Sequence, residues 1–239
     1  SIGFLIVLIN YLPIFKTRLP NYSLQLAGLI GNTSFLGIPI ALALLPTSTI
    51  NFTIGFDLGT TLFAWIFGPF FLQKNTNSNT NLNFKELLKA IINSPASRGI
   101  LGVLIAYLFG LEKVLGNYLW IPARIVIVLA IVVVGTRLGI ITNSKTKLFK
   151  LNKEIKYSII LKLFILPLFI FIFSKILGFN LNETSAVVLQ AGTPSAVSTI
   201  LMAEAYKTYQ KIAATILFTT TLISIITIPI LANLVNFSQ

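Results

Sequence analysis

Apolar residues along the chain come in long unbroken blocks, not in the one-faced stripes of soluble helices or the alternation of half-buried strands. The blocks are Ser1–Phe15, Ser23–Leu45, Phe52–Leu72, Arg98–Leu111, Leu119–Ile141, Tyr157–Leu177, Thr184–Ala205 and Ile212–Val235. A helix needs about 20 apolar residues to cross the hydrocarbon core of a bilayer. The pattern therefore predicts eight helical crossings and an all-α polytopic membrane protein. The first block is short, and the fourth borrows residues from Ile91 and as far as Leu115.

Composition agrees with this pattern. Of 239 residues, 55% are hydrophobic and 10% charged, whereas a soluble domain carries roughly a quarter charged residues. There is no cysteine and no histidine. That removes disulfides, thiolate or imidazole metal ligands, and catalysis built on either side chain. The net charge of +12 would suit a nucleic acid, but the basic residues sit between the apolar blocks. Lys16 and Arg18 follow the first block, and Lys74, Lys85, Lys89 and Arg98 follow the third. Lys145, Lys147, Lys150, Lys153 and Lys156 follow the fifth, and Lys207 and Lys211 the seventh. The alternate connections are nearly bare. Lys and Arg accumulate in cytoplasmic loops, so the alternation places both termini outside and argues for no nucleic-acid partner. Ser1 is no initiator and the first block begins at once, so the native start is expected to lie upstream. No signal-peptide pattern is seen. The longest connection, residues 74–97, reads as a cytoplasmic linker with an Asn/Ser/Thr tract, and Phe84–Ile92 as a short interfacial helix.

Two blocks interrupt themselves. The second contains "GNTSFLGIP", Gly31 to Pro39, near its midpoint; the seventh contains "QAGTPS", Gln190 to Ser195. Glycine and proline both weaken a helical ladder. Thr193 before Pro194 has the order of an N-cap followed by a first helical residue, and Asn32 is a second N-cap candidate. Each break would then present free N–H groups and a partial positive charge at mid-depth, a site for an anion needing no intramembrane base. A lone Gly or Pro in a spanning helix is more often a kink or a packing contact. Interrupted segments in matching positions of two halves are instead the best pointer to a secondary transporter's binding site.

With these residues in view, "GNTSFLGIPI" resembles the Asn-Thr…Gly-Ile-Pro signature of the auxin efflux carrier family, which includes the plant PIN-FORMED carriers and bacterial malate or malonate permeases. "QAGTPSAVSTILMAEAY" resembles that family's Ala-Ala-x-Pro segment with its acidic-aromatic tail, here Glu204 to Tyr206. The resemblance runs over the whole chain. It implies an inverted-repeat transporter fold with two broken crossing helices, like those of sodium/proton antiporters and bile-acid transporters. Eight of the family's ten helices are expected here. Residues 1–73 would be the first repeat lacking its first two helices, 74–97 the linker, and 98–239 the second repeat. The implied substrate site comprises Gly31, Asn32, Thr33, Ser34 and Pro39 from one crossing helix, with Gln190, Gly192, Thr193, Pro194 and Ser195 from the other. Plant members have proline where Gly31 stands and glutamine where Ser195 stands. These departures point from auxin toward a small organic acid.

Asp57 is the one carboxylate well inside a block. An ionisable residue there is by default a functional hypothesis, here proton or sodium coupling. The competing reading is a packing hydrogen bond to Thr60 or Thr61. Arg137 and Lys162 are close enough to cytoplasmic ends to snorkel, and Arg124 to the outer end. Trp65 and Trp120 read as lipid-facing or packing. The six carboxylates are scattered, so no catalytic or metal constellation forms and no cofactor is implied. The expected function is alternating-access transport of small organic anions in a bacterial inner membrane, and the likeness to related folds, rather than any residue here, makes a homodimer an expectation. The alternatives are a passive anion channel and, less favoured, a lipid-modifying enzyme.

Overall fold

The computed structural model describes residues 2–74, 92, 95–143 and 151–236. The Phe84–Ile92 helix expected from sequence, most of the linker and the side chain of Arg137 lie outside the described residues. All regular elements described are helices: α1 (Ile2–Tyr11), α2 (Pro13–Arg18), α3 (Tyr22–Leu29), α4 (Ile38–Leu44), α5 (Ile50–Lys74), α6 (Pro95–Leu108), α7 (Glu112–Asn143), α8 (Lys153–Ile160), α9 (Leu166–Ile176), α10 (Leu181–Ala191), α11 (Val197–Ala205) and α12 (Gln210–Asn236). Wide π-helical turns, Thr33–Gly37 and Leu161–Ile165, lead into α4 and join α8 to α9. Among the described residues three stretches are long and apolar enough to cross a membrane: Thr47–Leu72, Lys153–Ile176 and Gln210–Leu234.

The chain divides into two compact units. One holds α6 and α7. Here α6 ends where Gly110 takes φ +64°, a left-handed conformation open to glycine, and the Leu111 N–H closes on the Ala106 carbonyl at 2.8 Å. Trp120 is exposed, and the Arg124 guanidinium lies 4.1 Å from its ring centre, an apolar stem with its charge parked on an aromatic face.

The other unit holds every other helix and the two interrupted segments. Its core runs through Leu5, Leu24, Leu29, Leu166, Val188 and Ile216, with a smaller cluster of Ala41, Leu45, Ala186, Leu189, Ile228 and Ala232. α5 packs on α3, α4, α10 and α11, and α12 packs on α3, α8, α10 and α11, so these two long helices flank both broken ones. Some polar side chains in this apolar setting pair with one another. The Asn10 Nδ2 donates to Gln25 Oε1 at 2.9 Å, and Gln25 Nε2 donates to the Leu19 carbonyl at 2.8 Å, tying α1 and the α2–α3 turn to α3. Replacing Gln25 by methionine keeps the volume and strands both partners, so the unfolding midpoint should drop, at a cost of about 1–3 kcal/mol. An unchanged midpoint would show that the amide pair contributes nothing.

Candidate functional site

The first break begins where α3 stops at Leu29. Ile30 is extended (φ −89°, ψ 118°), and the helix resumes at Thr33 as a wide turn. The Leu36 and Gly37 N–H groups both reach the Asn32 carbonyl, at 3.2 and 3.1 Å. Proline explains the width. Pro39 has no N–H for the Phe35 carbonyl and its ring crowds that oxygen, so the preceding ladder shifts register. The same spacing recurs at Leu161–Ile165, which ends two residues before Pro167. The second break begins after Ala191, and α11 starts at Val197.

The two breaks meet. The Asn32 N–H donates to the Pro194 carbonyl at 2.7 Å, and the Ala196 N–H to the Ile30 carbonyl at 3.0 Å. Gly31 thus lies opposite Ser195 in a short antiparallel pairing. Backbone groups freed by each interruption satisfy those freed by the other, as burial requires. Gly31 has no room for a side chain, since a Cβ would stand 2.5 Å from Thr193 Oγ1 and 3.0 Å from Lys162 Nζ. A Cβ at Gly37 would run into the Gln190 amide. From the flank, the Thr220 hydroxyl of α12 accepts the Ser195 N–H at 3.1 Å.

Two charged groups reach these segments, one from α5 and one from the second wide turn. Asp57 of α5 is buried, and its Oδ1 accepts from the Thr33 hydroxyl at 2.5 Å and the Ser34 hydroxyl at 2.6 Å. A carboxylate at the N-terminal end of a helical segment is electrostatically favoured. Lys162, from the second wide turn, is wholly inaccessible and donates to the Ala191 carbonyl at 2.6 Å, at the C-terminal end of α10, where a cation is favoured. Both polar side-chain atoms of Gln190 and the Ser195 hydroxyl are buried without a hydrogen-bond partner among the described residues.

The structure therefore brings Gly31, Asn32, Thr33, Gln190, Thr193, Pro194 and Ser195 together as buried residues around the pairing, with Ser34 half-buried at its edge. Pro39 stands in α4 and acts through the wide turn before it, while Gly192 faces the Leu231 side chain of α12. Four sequence expectations need correction. Asn32 makes no side-chain cap, because its contribution is through backbone N–H and carbonyl. Thr193 is no N-cap either: its hydroxyl turns back to the Gln190 carbonyl at 2.8 Å, and Ala196 precedes the first residue of α11. Lys162 does not snorkel, because the wide turn aims it inward. The packing partners of Asp57 are Thr33 and Ser34, and Thr60 instead donates to the Asp57 backbone carbonyl at 3.0 Å. Lys162 carried the same signal as Asp57, a charge six residues past Lys156 and so about 9 Å into an apolar block. Its flexible stem made the snorkelling alternative available; aspartate has none. Among the described residues no three acidic side chains group in a way that would hold a metal ion.

Comparison with known proteins gives a consistent answer. An uncharacterized transporter of Methanocaldococcus jannaschii is 25% identical over 211 residues, covering 86% of this chain and 65% of that protein, so the chain spans less than two thirds of that relative. No solved structure matches. The family model described as "membrane transport protein" matches residues 1–232, and the chain belongs to that family, the one to which the auxin efflux carriers belong.

Proposed function

We propose that the paired breaks are the substrate site of a secondary active carrier for small organic anions, carboxylic acids of the malate and malonate kind. The observation that carries this reading is the convergence of two interrupted segments on one point where Gln190 and Ser195 are buried with unpartnered polar atoms. Such groups are costly in an apolar interior, and natural proteins keep them where a ligand or water completes them. Non-helical backbone inside a membrane is tolerated only in protein or beside water, which also suits a transport site.

In this reading the chain crosses a bacterial inner membrane eight times with both termini outside. Residues 1–73 and 98–239 are the two inverted repeats, joined by the 74–97 linker. The unit holding the crossing moves to expose the anion alternately to each side. Asp57 is the coupling group for proton or sodium, and the protein works as a homodimer. The relative described as a transporter supports the transport class alone. A passive pore would need a continuous wet path, whereas Gly31, Thr193 and Ser195 are all buried, which favours a carrier.

The test is uptake of labelled malonate and malate by proteoliposomes of the full-length protein. Uptake should saturate, and Gln190→Leu should reduce it at least tenfold, with Ser195→Ala giving a smaller loss and both variants inserted normally. Wild-type rates in both variants would place the substrate elsewhere. Flux that never saturates would favour the pore.

A further inference from the structure

Lys162 is the largest fully buried side chain among the described residues. Its side chain is 0% exposed, and its one hydrogen bond is to the Ala191 carbonyl. An ammonium has three donors, so two find no partner among the described residues. Among the described residues no carboxylate pairs with it. The C-terminal end of α10 offers about half a negative charge, which leaves a buried cation partly uncompensated. Burying a charge without a full partner is among the costlier things a fold can do.

The pairing geometry says what lies beside that ammonium. Because Asn32 donates to Pro194 and Ala196 donates to Ile30, Gly31 and Ser195 form the closely spaced, non-hydrogen-bonded pair of an antiparallel ladder. Residues so paired point their side chains to the same side, and alternation brings Thr193 to that side too. A Cβ at Gly31 would meet Thr193 Oγ1 and Lys162 Nζ, which fixes the face on which the ammonium stands. Glycine at position 31 leaves room on that face for these two groups. The Ser195 hydroxyl, without a partner, belongs to this same face. The other anion-favouring position, the first turn at Thr33, is already filled by the protein's own Asp57.

We propose that Lys162 is the counter-charge of the transported anion: its ammonium and the Ser195 hydroxyl take one ionised carboxylate on the Gly31 face of the crossing. This rests on the carrier reading above and makes it specific. One buried cation matches one carboxylate, so recognition depends on that charge, and neutral amides or esters of the same shape are rejected. The alternative is that Lys162 merely closes the C-terminal end of α10.

Thermal stability of the purified full-length protein separates the two, with malonate, malate and butyrate as probes and uptake measured in parallel. Lys162→Met removes the charge at similar length. For an anion ligand, the ligand-free midpoint holds or rises, the shift produced by each acid disappears, and half-saturation of uptake rises at least tenfold. For a helix-closing lysine, the ligand-free midpoint falls while half-saturation stays; that result overturns the proposal. Should Lys162→Met fail to insert, the wild type decides: malonamide stabilising it as well as malonate overturns the proposal, and stabilisation by malonate alone upholds it. If wild-type protein responds to none of the acids, the carrier reading fails and this inference with it. If it responds and Lys162→Met responds equally, the inference alone fails.

Discussion

Gly31→Ala should abolish transport, with at least a hundredfold loss of uptake rate in protein that still inserts. The added methyl carbon would lie 2.5 Å from Thr193 Oγ1, inside any real carbon–oxygen contact, and 3.0 Å from the Lys162 ammonium. Neither neighbour yields freely. The Thr193 hydroxyl is held by the Gln190 carbonyl and Lys162 by the Ala191 carbonyl, so relief must come from parting the two backbones. Parting them lengthens the bonds from Asn32 to Pro194 and from Ala196 to Ile30, which join the breaks. Overpacking of this kind costs about 1–3 kcal/mol, enough to lower the unfolding midpoint without preventing folding. Activity should suffer more than stability, because the methyl group occupies the face on which the anion would sit. Gly55→Ala on α5 is the control, since a Cβ there meets nothing within 4 Å, and it should transport normally. Normal uptake by Gly31→Ala would mean that the two segments part during transport or that the anion binds elsewhere.

Much of this arrangement is legible in the residues alone, for a physical reason. Block length and the cost of charge in lipid leave so few options that helix positions follow closely. The sixth block, Tyr157–Leu177, matches the helical run Lys153–Ile176 except for its last residue, and the eighth, Ile212–Val235, lies within α12. Glycine and proline mark both segments, and in the structure α3 ends at Leu29 with Ile30 extended, and α10 ends at Ala191. Capping was misread because a cap was assigned by local order alone. Thr193 before Pro194 does resemble a helix start, but Pro194 offers its carbonyl to Asn32, 162 positions away by subtraction of the two residue numbers. A long-range backbone bond leaves no trace in nearby residues. Lys162 was hidden for a related reason. Which way a lysine points depends on helix phase, and the wide turn before Pro167 adds a residue to one turn and rotates everything that precedes it. A proline five positions beyond a charge is therefore a signal worth reading together with that charge.

Asp57→Asn should separate exchange from accumulation: labelled anion still swaps with unlabelled anion across the membrane, while uptake against a gradient driven by protons or sodium is lost. In the proposed carrier Asp57 would take this role. It is 7% exposed, and through Thr33 and Ser34 it holds the first turn beyond the Gly31 break. Its charge state therefore bears directly on how that turn sits against the Ser195 segment. Asparagine keeps the size and one acceptor, so Thr33 and Ser34 can still be bound, but it has no charge for a cation to neutralise. Asp57→Ala removes the acceptor as well. Hydrogen bonds to charged groups contribute about 1.5–3 kcal/mol, so this variant should lose about 3 kcal/mol of stability and most exchange too. A double-mutant cycle with Thr33→Val and Ser34→Ala should return a coupling energy of about 1 kcal/mol or more for each hydroxyl, as expected of groups sharing one acceptor. Accumulation preserved in Asp57→Asn would remove Asp57 from coupling and leave it a structural tie. The two buried charges then divide the work in a testable way: a variant that loses affinity points to Lys162, and one that loses the ability to concentrate points to Asp57.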